Sequence, residues 1–385
     1  MSVSNPVRSL HEARDATFMP YGGEGVRTEV VETYGSIEVE YAAIRKRAAL
    51  IDLPHRGTIR VSGADRVEFL NRMVTQELKG LTDYGVRRSF WLNRKGRIDA
   101  DLRLIALPEM LMLDCEVLSV RRAIEGLSAY LFAEDVAIED SSGVMHRLAL
   151  HGPGAREVLG RISTHAAGDQ LATLAPDRAC EVEIDGVRVV VDRQDTAGEI
   201  GLEMLMPADG AERVYGAVLG VEGVTAIGWH AYNIARIEAG EPIFAIDFGP
   251  TNLPHETGVL RDRVSFTKGC YLGQEVVARM QSLGHPKQVV VGLRIEGAGG
   301  GDPDDHPATG SAVLAGEKVV GAVSSCTRSP MLGDALIALA PVKWDASKAG
   351  TELRVESAGG ASLKGVVQEG LAFWRHGGGS GGTTG

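Results

Sequence analysis

The chain is poor in the residues that staple a fold or carry it across a membrane. It has four cysteines among 385 residues, Cys115, Cys180, Cys270 and Cys326, and they lie far apart. With no C-x-x-C pair and no H-x-x-x-H spacing they make neither a disulfide framework nor a zinc site, so no metal is expected and a reducing compartment is the natural inference. No apolar run approaches the eighteen or so residues of a membrane span. The arginines near the N-terminus, Arg8, Arg14 and Arg27, are mixed with Glu12, Asp15 and Glu24, which argues against a transit peptide. A cytoplasmic protein without a membrane partner is expected. Positive charge is also in deficit: the formal net charge is −11, which disfavours a nucleic-acid face but leaves room for a small anion held by a few local cations. Neither G-x-x-x-x-G-K-[ST] nor a strand-to-helix G-x-G-x-x-G occurs, so nucleotide cofactors have no support.

What is present is a body long enough for two or three domains, with strands and helices interleaved but no regular βαβ repeat. The expected class is therefore α+β. Residues 1–29 read as an irregular lead-in around Met19-Pro20-Tyr21-Gly22-Gly23. In "GTIRVSGADRVEFLNRMVTQEL", a strand Thr58 to Val61 is followed by a Ser62-Gly63 turn and a helix whose expected apolar face is Val67, Leu70 and Val74. "SFWLNRKGRIDADLRLIAL" reads as a hairpin around an Asn93 to Gly96 turn, and "VRVVVDRQDTAGEIGLEMLMP" as a second one. From about Val289 short strands separated by Gly, Pro and Asp predict a separate small barrel over 287–372, following a region of two subdomains over 30–286. Residues 373–385, ending in "HGGGSGGTTG", read as a flexible tail.

Three stretches carry candidate chemistry. In "GRIDADLRL", Ile98, Ala100, Leu102 and Leu104 share one strand face, so Arg97, Asp99, Asp101 and Arg103 share the other. Two carboxylates flanked by arginines can place an acid near a substrate nitrogen, and the alternative is a solvated face of alternating charge. "AIGWHAYNIARIEAGEPIF" is a helix ending at Gly240, with Ile227, Ala231, Ile234 and Ala235 on its apolar side. Trp229, Tyr232, Asn233 and Arg236 are left for another surface, where an aromatic and arginine face suits a flat heteroaromatic ligand with an anionic tail, or an interdomain contact. Glu199 and Glu203 in "TAGEIGLE" offer carboxylates to ring N–H donors, unless they are ordinary solvated turn residues. In "FTKGCYLGQEVVARM", Cys270 lies between Gly269 and Gly273, just before a helix starting near Leu272 to Gln274. The helix dipole and Lys268 favour a thiolate there, against the plainer role of a small apolar corner residue.

Taken together these residues resemble a known family. K-G-C-Y-x-G-Q-E at Lys268 to Glu275 resembles the signature of the YgfZ-type folate-binding proteins, whose mitochondrial relatives assist maturation of iron–sulfur proteins. The wider chain, about 30 to 370, is similar to the T-protein of the glycine cleavage system, an aminomethyltransferase. "SGADRVEFLNRMVTQEL", "LHGPGA", "TAGEIGLE", "ARIEAGEP" and "GAVSSCTRSPMLGDALIALA" resemble its motifs. The resemblance implies a three-domain ring around a central hole that binds tetrahydrofolate or a one-carbon derivative, ending in an antiparallel β-barrel. It further implies that Glu199 and Glu203 meet the pterin and that Arg236 and Tyr232 line or brace the pocket. Asp101 is the acid retained where the transferases carry two adjacent acids, Ala100 replacing the other. The function implied by the cysteine motif is that of a tetrahydrofolate-binding accessory factor in iron–sulfur protein assembly or repair, partnered by its client or assembly proteins, with Cys270 as working thiol beside Lys268. The alternative is a folate-dependent aminomethyltransferase or methyltransferase, and whether the protein turns over a substrate stays open at this point.

Overall fold

A computed structural model describes residues 5–22, 28–296 and 306–375. The chain divides into two compact units: 1–195, 200–232 and 261–278 form one, and 196–199, 233–260 and 279–385 the other.

The first unit is built on two sheets. A seven-stranded sheet runs in the order Ser163–Gly168, Ala179–Ile184, Val187–Arg193, Gly201–Pro207, Met145–His151, Ala48–Asp52, Val224–Ala226. All its pairs are antiparallel except the last, Val224–Ala226 against Ala48–Asp52. A five-stranded antiparallel sheet has the order Val86–Leu92, Ile98–Leu107, Met110–Glu116, Arg56–Ser62, Ala137–Asp140. Both hairpins legible in the sequence are here. Val86–Leu92 pairs with Ile98–Leu107 so that Phe90 faces Asp101 and Trp91 faces Ala100. The reversal is closed by Gly96 N–H donating to Asn93, with Gly96 at φ +70°. Period-two alternation holds over its start: Ile98, Ala100 and Leu102 are buried while Asp99 and Asp101 are half-buried. Each sheet covers its own apolar core. Leu148, Leu150, Val189, Val191, Leu202 and Met204 pack in the first, and Ile59, Val61, Leu102, Leu104, Leu111 and Leu113 in the second.

Three expectations change. The helix after the Ser62-Gly63 turn is Arg66–Met73, and it buries Phe69, Leu70 and Met73, whereas Val67 is only half-buried. Residues 1–29 are not uniformly irregular: a helix Arg8–Glu12 buries His11, and Thr17–Pro20 pairs antiparallel with Glu29–Thr33. The cause is long-range, because His11 Nε2 and Asn5 Nδ2 meet the buried carboxylate of Asp52, 3.0 Å and 2.6 Å away. The helix Trp229–Glu238 has no open aromatic and arginine face, since Trp229, Tyr232 and Arg236 are buried along with Ala231 and Ala235.

The second unit contains the predicted barrel. Six antiparallel strands close on themselves in the order Gln288–Glu296, Ser362–Val367, Glu352–Glu356, Ala312–Ala315, Lys318–Ala322, Ala335–Lys343, the last returning to the first. Ser325–Ser329 is added to the outside of Ala335–Lys343. Val291, Leu293, Val313, Ala338, Ala340 and Val355 fill the barrel core. The tail from residue 376 lies outside the described residues. No described helix is long and apolar enough to cross a membrane.

Candidate functional site

The residues singled out from the sequence fall on both units. Asp101, Glu203, Tyr232, Lys268 and Cys270 are in the first, Glu199 and Arg236 in the second.

Asp101 projects from the polar face of Ile98–Leu107. Its carboxylate accepts from Arg263 Nε, at 3.1 Å to Oδ1 and 3.4 Å to Oδ2. Arg263 is nearly sealed, with 4% of its side chain exposed, whereas Asp101 keeps 19%. Arg263 also binds the carboxylate of its neighbour Asp262, which lies 3.5 Å from Arg88. From Arg88 the polar contacts continue through Gln194 to Asp192. Asp99 is directed elsewhere, to Asn93 and Arg122 at 3.3 Å and 3.7 Å. The two acids of the "DAD" stretch therefore share a face but not an environment.

Arg263 is delivered by a hub that the sequence did not mark. Thr75 is wholly buried, and its hydroxyl donates to the Arg263 carbonyl at 2.6 Å while accepting from Phe90 N–H at 2.9 Å. Its own carbonyl receives Ser265 N–H at 3.0 Å. Thr75 belongs to the "MVTQEL" stretch that resembles a family motif, and the structural reason for a small hydroxyl there is that it ties three chain segments together in the interior.

Lys268 does not stand as a cation beside an open thiol. Its ammonium is buried and donates to the carbonyls of Asn71, Val74 and Gln76, at 2.7, 2.8 and 2.8 Å. Burial pushes its pKa down to about 8, partly opposed by Glu77. All three ammonium N–H groups are thus spent on the end of the Arg66–Met73 helix, which pins the segment leading to Cys270. Cys270 itself is exposed, while Cys115 and Cys180 are buried and Cys326 is half-buried. Burial pushes Cys180 and Cys326 up to about 12. The helix after it, Gln274–Leu283, starts where the glycine implied, and Gly273 at φ +79° packs its backbone on Asn93.

Glu203 is neither a solvated turn residue nor an open acceptor. It lies opposite Asp192 across the Val187–Arg193 and Gly201–Pro207 pair, a repulsive arrangement relieved by two arginines. Arg103 contacts Glu203, Asp192 and Asp114, and Arg147 reaches the same three carboxylates. Arg56 adds contacts to Asp114 and Glu116. Burial raises the Asp114 and Glu203 carboxyls, but the guanidiniums outweigh it and hold both below the usual range. Asp192 stays raised by burial, and burial lifts Glu116 to about 7. Tyr232 is buried against Trp229 and His151, whose ring centroids are 5.8 Å and 5.5 Å from its own. His151 is buried, with its pKa lowered to about 4 by desolvation.

In the second unit Glu199 is buried and not a solvated turn residue. Gly198 before it, at φ +80°, has the Trp374 carbonyl 3.3 Å from where a Cβ would stand. Arg236 is 1% exposed at its side chain, with its guanidinium already engaged: Nε on Asn233 at 2.8 Å, one terminal nitrogen on Asp247 at 2.5 Å and the other on Ser325 at 2.6 Å. Asp247 is in turn held by Ser324 and Ser325, both at 2.7 Å. Arg236 therefore braces the Trp229–Glu238 helix to the strand Ser325–Ser329, and its fork is filled by protein atoms. Sequence reasoning found the arginine and Asn233 but neither Asp247 nor Ser325, since Asp247 and the serine pair in "SSC" follow no recognisable spacing.

Residues 7–268 match the GCVT N-terminal domain, and residues 289–371 match the glycine cleavage T-protein C-terminal barrel domain. The aminomethyltransferase of Cutibacterium acnes is 29% identical over 378 residues, spanning 96% of this chain and 98% of that protein. That of Geobacillus kaustophilus is 28% identical over 380 residues, spanning 97% and 99%. The solved structure of glycine cleavage system aminomethyltransferase T from Bartonella henselae superposes with a TM-score of 0.83 at 25% identity, covering 96% of this chain and 98% of that one. On these matches, which together run almost end to end, the chain belongs to the glycine cleavage T-protein family.

Proposed function

We propose that this protein is a tetrahydrofolate-dependent one-carbon transferase of the aminomethyltransferase type, taking its one-carbon unit from a carrier protein or a small methylated amine. Tetrahydrofolate is used by members of the family. The observation that carries the reading is Asp101, the retained acid of the family's acidic pair, which is paired with a buried arginine yet left partly open. The donor chemistry fits a reduced pterin at this point, because carboxylate oxygens accept from ring N–H groups. Glu203 and Arg236 offer no such opening, being committed to protein partners. Bound tetrahydrofolate supplies the nitrogen that receives the one-carbon unit. The chain's part is to hold that nitrogen against Asp101 and to give its proton an acceptor. Ala100 is wholly buried in the apolar core opposite Trp91, so an acid there would be desolvated, which leaves Asp101 to work alone.

A second reading is favoured by one observation. Of the four thiols only Cys270 is exposed, and it sits in the K-G-C-Y-x-G-Q-E stretch. An accessory factor for iron–sulfur proteins would use that thiol. The two readings separate in a deletion strain assayed for glycine cleavage and for several iron–sulfur enzymes, beside purified protein given tetrahydrofolate and an aminomethyl donor. Ammonia and methylene-tetrahydrofolate appearing in equal amounts supports the transferase. Loss of iron–sulfur enzymes alone, with no turnover in vitro, overturns it in favour of the accessory role.

A further inference from the structure

We propose that Arg263 is a positioning residue for the transfer reaction, setting the orientation of the Asp101 carboxylate, an inference that rests on the transferase reading. The geometry is specific. One nitrogen, Nε, addresses both carboxylate oxygens, at 3.1 Å and 3.4 Å, so the arginine holds the carboxylate from one side while the acid keeps 19% of its side chain exposed. Arg263 is itself held at both ends. Its terminal nitrogen is bound by Asp262, and its backbone carbonyl by the buried Thr75 hydroxyl. The short helix that carries it, Leu260–Arg263, is tied to the same corner by Ser265 N–H on the Thr75 carbonyl, with Gln76 Nε2 on the Asp262 carbonyl at 3.4 Å. A side chain that only balanced the charge of Asp101 would need none of this scaffolding. The exposure of the two partners points the same way, since the arginine is almost sealed and the acid is the member that reaches outward.

Positioning of this kind acts on the chemical step more than on binding, because a displacement of about 1 Å at a reacting group costs on the order of 100-fold in rate. Lysine restores the charge but not the second guanidinium contact, to Asp262, that holds the side chain in place. The test uses the full chain with Arg263→Gln, Arg263→Lys, Asp101→Asn and the double variant Asp101→Asn with Arg263→Gln, reading kcat, KM for tetrahydrofolate and the thermal midpoint. The expected result is that Arg263→Gln lowers kcat by about tenfold or more while KM moves by less than about threefold, and Arg263→Lys recovers part of the loss. In the Asp101→Asn background the glutamine change should alter kcat by less than about twofold, because there is no longer a carboxylate to orient. An equal fold-loss in both backgrounds, or a rise in KM with kcat unchanged, overturns the proposal while leaving the transferase reading in place. If Arg263→Gln fails to fold, Arg263→Lys in the two backgrounds carries the same comparison. A wild-type chain without any turnover removes the transferase reading and this role together, an outcome distinct from the other two.

Discussion

Arg103 and Asp101 leave the same face of one strand two residues apart, and they end in opposite surroundings. Arg103 is enclosed among Asp114, Asp192 and Glu203, which come from three other strands of both sheets. Asp101 has one arginine partner and keeps an open edge. The register explains the divergence: Met110–Glu116 pairs with Ile98–Leu107 only from Arg103 onward, so Asp101 lies beyond the region that the neighbouring strand covers. The lesson is that an ion pair's role follows from how completely it is enclosed. A network whose members are all buried mainly holds sheets together, whereas an acid fixed on one side and open on the other is available for chemistry.

The comparison breaks most visibly at Arg147. It is buried among the same three carboxylates as Arg103, and Arg147→Ala leaves them sharing one fewer cation. A loss of about 3–5 kcal/mol in denaturant unfolding is expected. A loss below about 1 kcal/mol would show that the network is not the clamp its burial implies.

At Asp101 the effect should move from stability to rate. Asp101→Asn is expected to change unfolding by about 0–1 kcal/mol, as for other partly exposed pairs, while lowering kcat by about 100-fold or more. Unchanged turnover would return Asp101 to the solvated face of alternating charge that its strand alone allows.

Acid pH tests the same interior more gently. His151 and His55 have pKa values lowered by burial to about 4 and about 3, so between these values and 6.5 the unfolded chain binds more protons than the folded one. Their contribution is intact above 6.5 and is lost as pH falls through that window. Glu116, raised to about 7, acts oppositely between 4.5 and 7, where the folded chain holds its proton more tightly. His151→Gln should therefore flatten the stability loss between pH 6.5 and 4, measured as the urea midpoint against pH. An unchanged slope would place the acid sensitivity elsewhere.

The smallest effect separates the thiols. Iodoacetamide near neutral pH should modify Cys270 first, since Cys115 and Cys180 are buried, Cys326 is half-buried, and burial raises the pKa values of all three. Mass spectrometry after brief labelling reads the order. Labelling of Cys270 no faster than Cys326 would weaken the accessory-factor reading.

Much of the first unit's outline is legible in the sequence because it is local. The turn at Asn93 to Gly96, the alternation of Ile98, Ala100 and Leu102, and the glycine before Gln274 each depend on neighbours a few residues away. The barrel was legible from short strands with regular breaks. The candidate site was legible as residue types but not as assignments. Lys268 reads as a cation two residues from a thiol, yet its ammonium is spent on carbonyls 192 to 197 positions earlier. The Trp229–Glu238 helix reads as one-sided, yet its aromatic residues and arginine are covered as well.

By itself the sequence determined which residues carry charge, which strand face they share and where the chain reverses, because side-chain alternation and turn chemistry act over two to four residues. Only the tertiary structure decided that Glu203 and Arg236 are buried on protein partners, that Arg263 pairs with Asp101, and that Asp101 stays partly open. The physical reason is that a charged group's behaviour is set by the solvent it loses and the countercharges it gains, and both are supplied by segments far away along the chain.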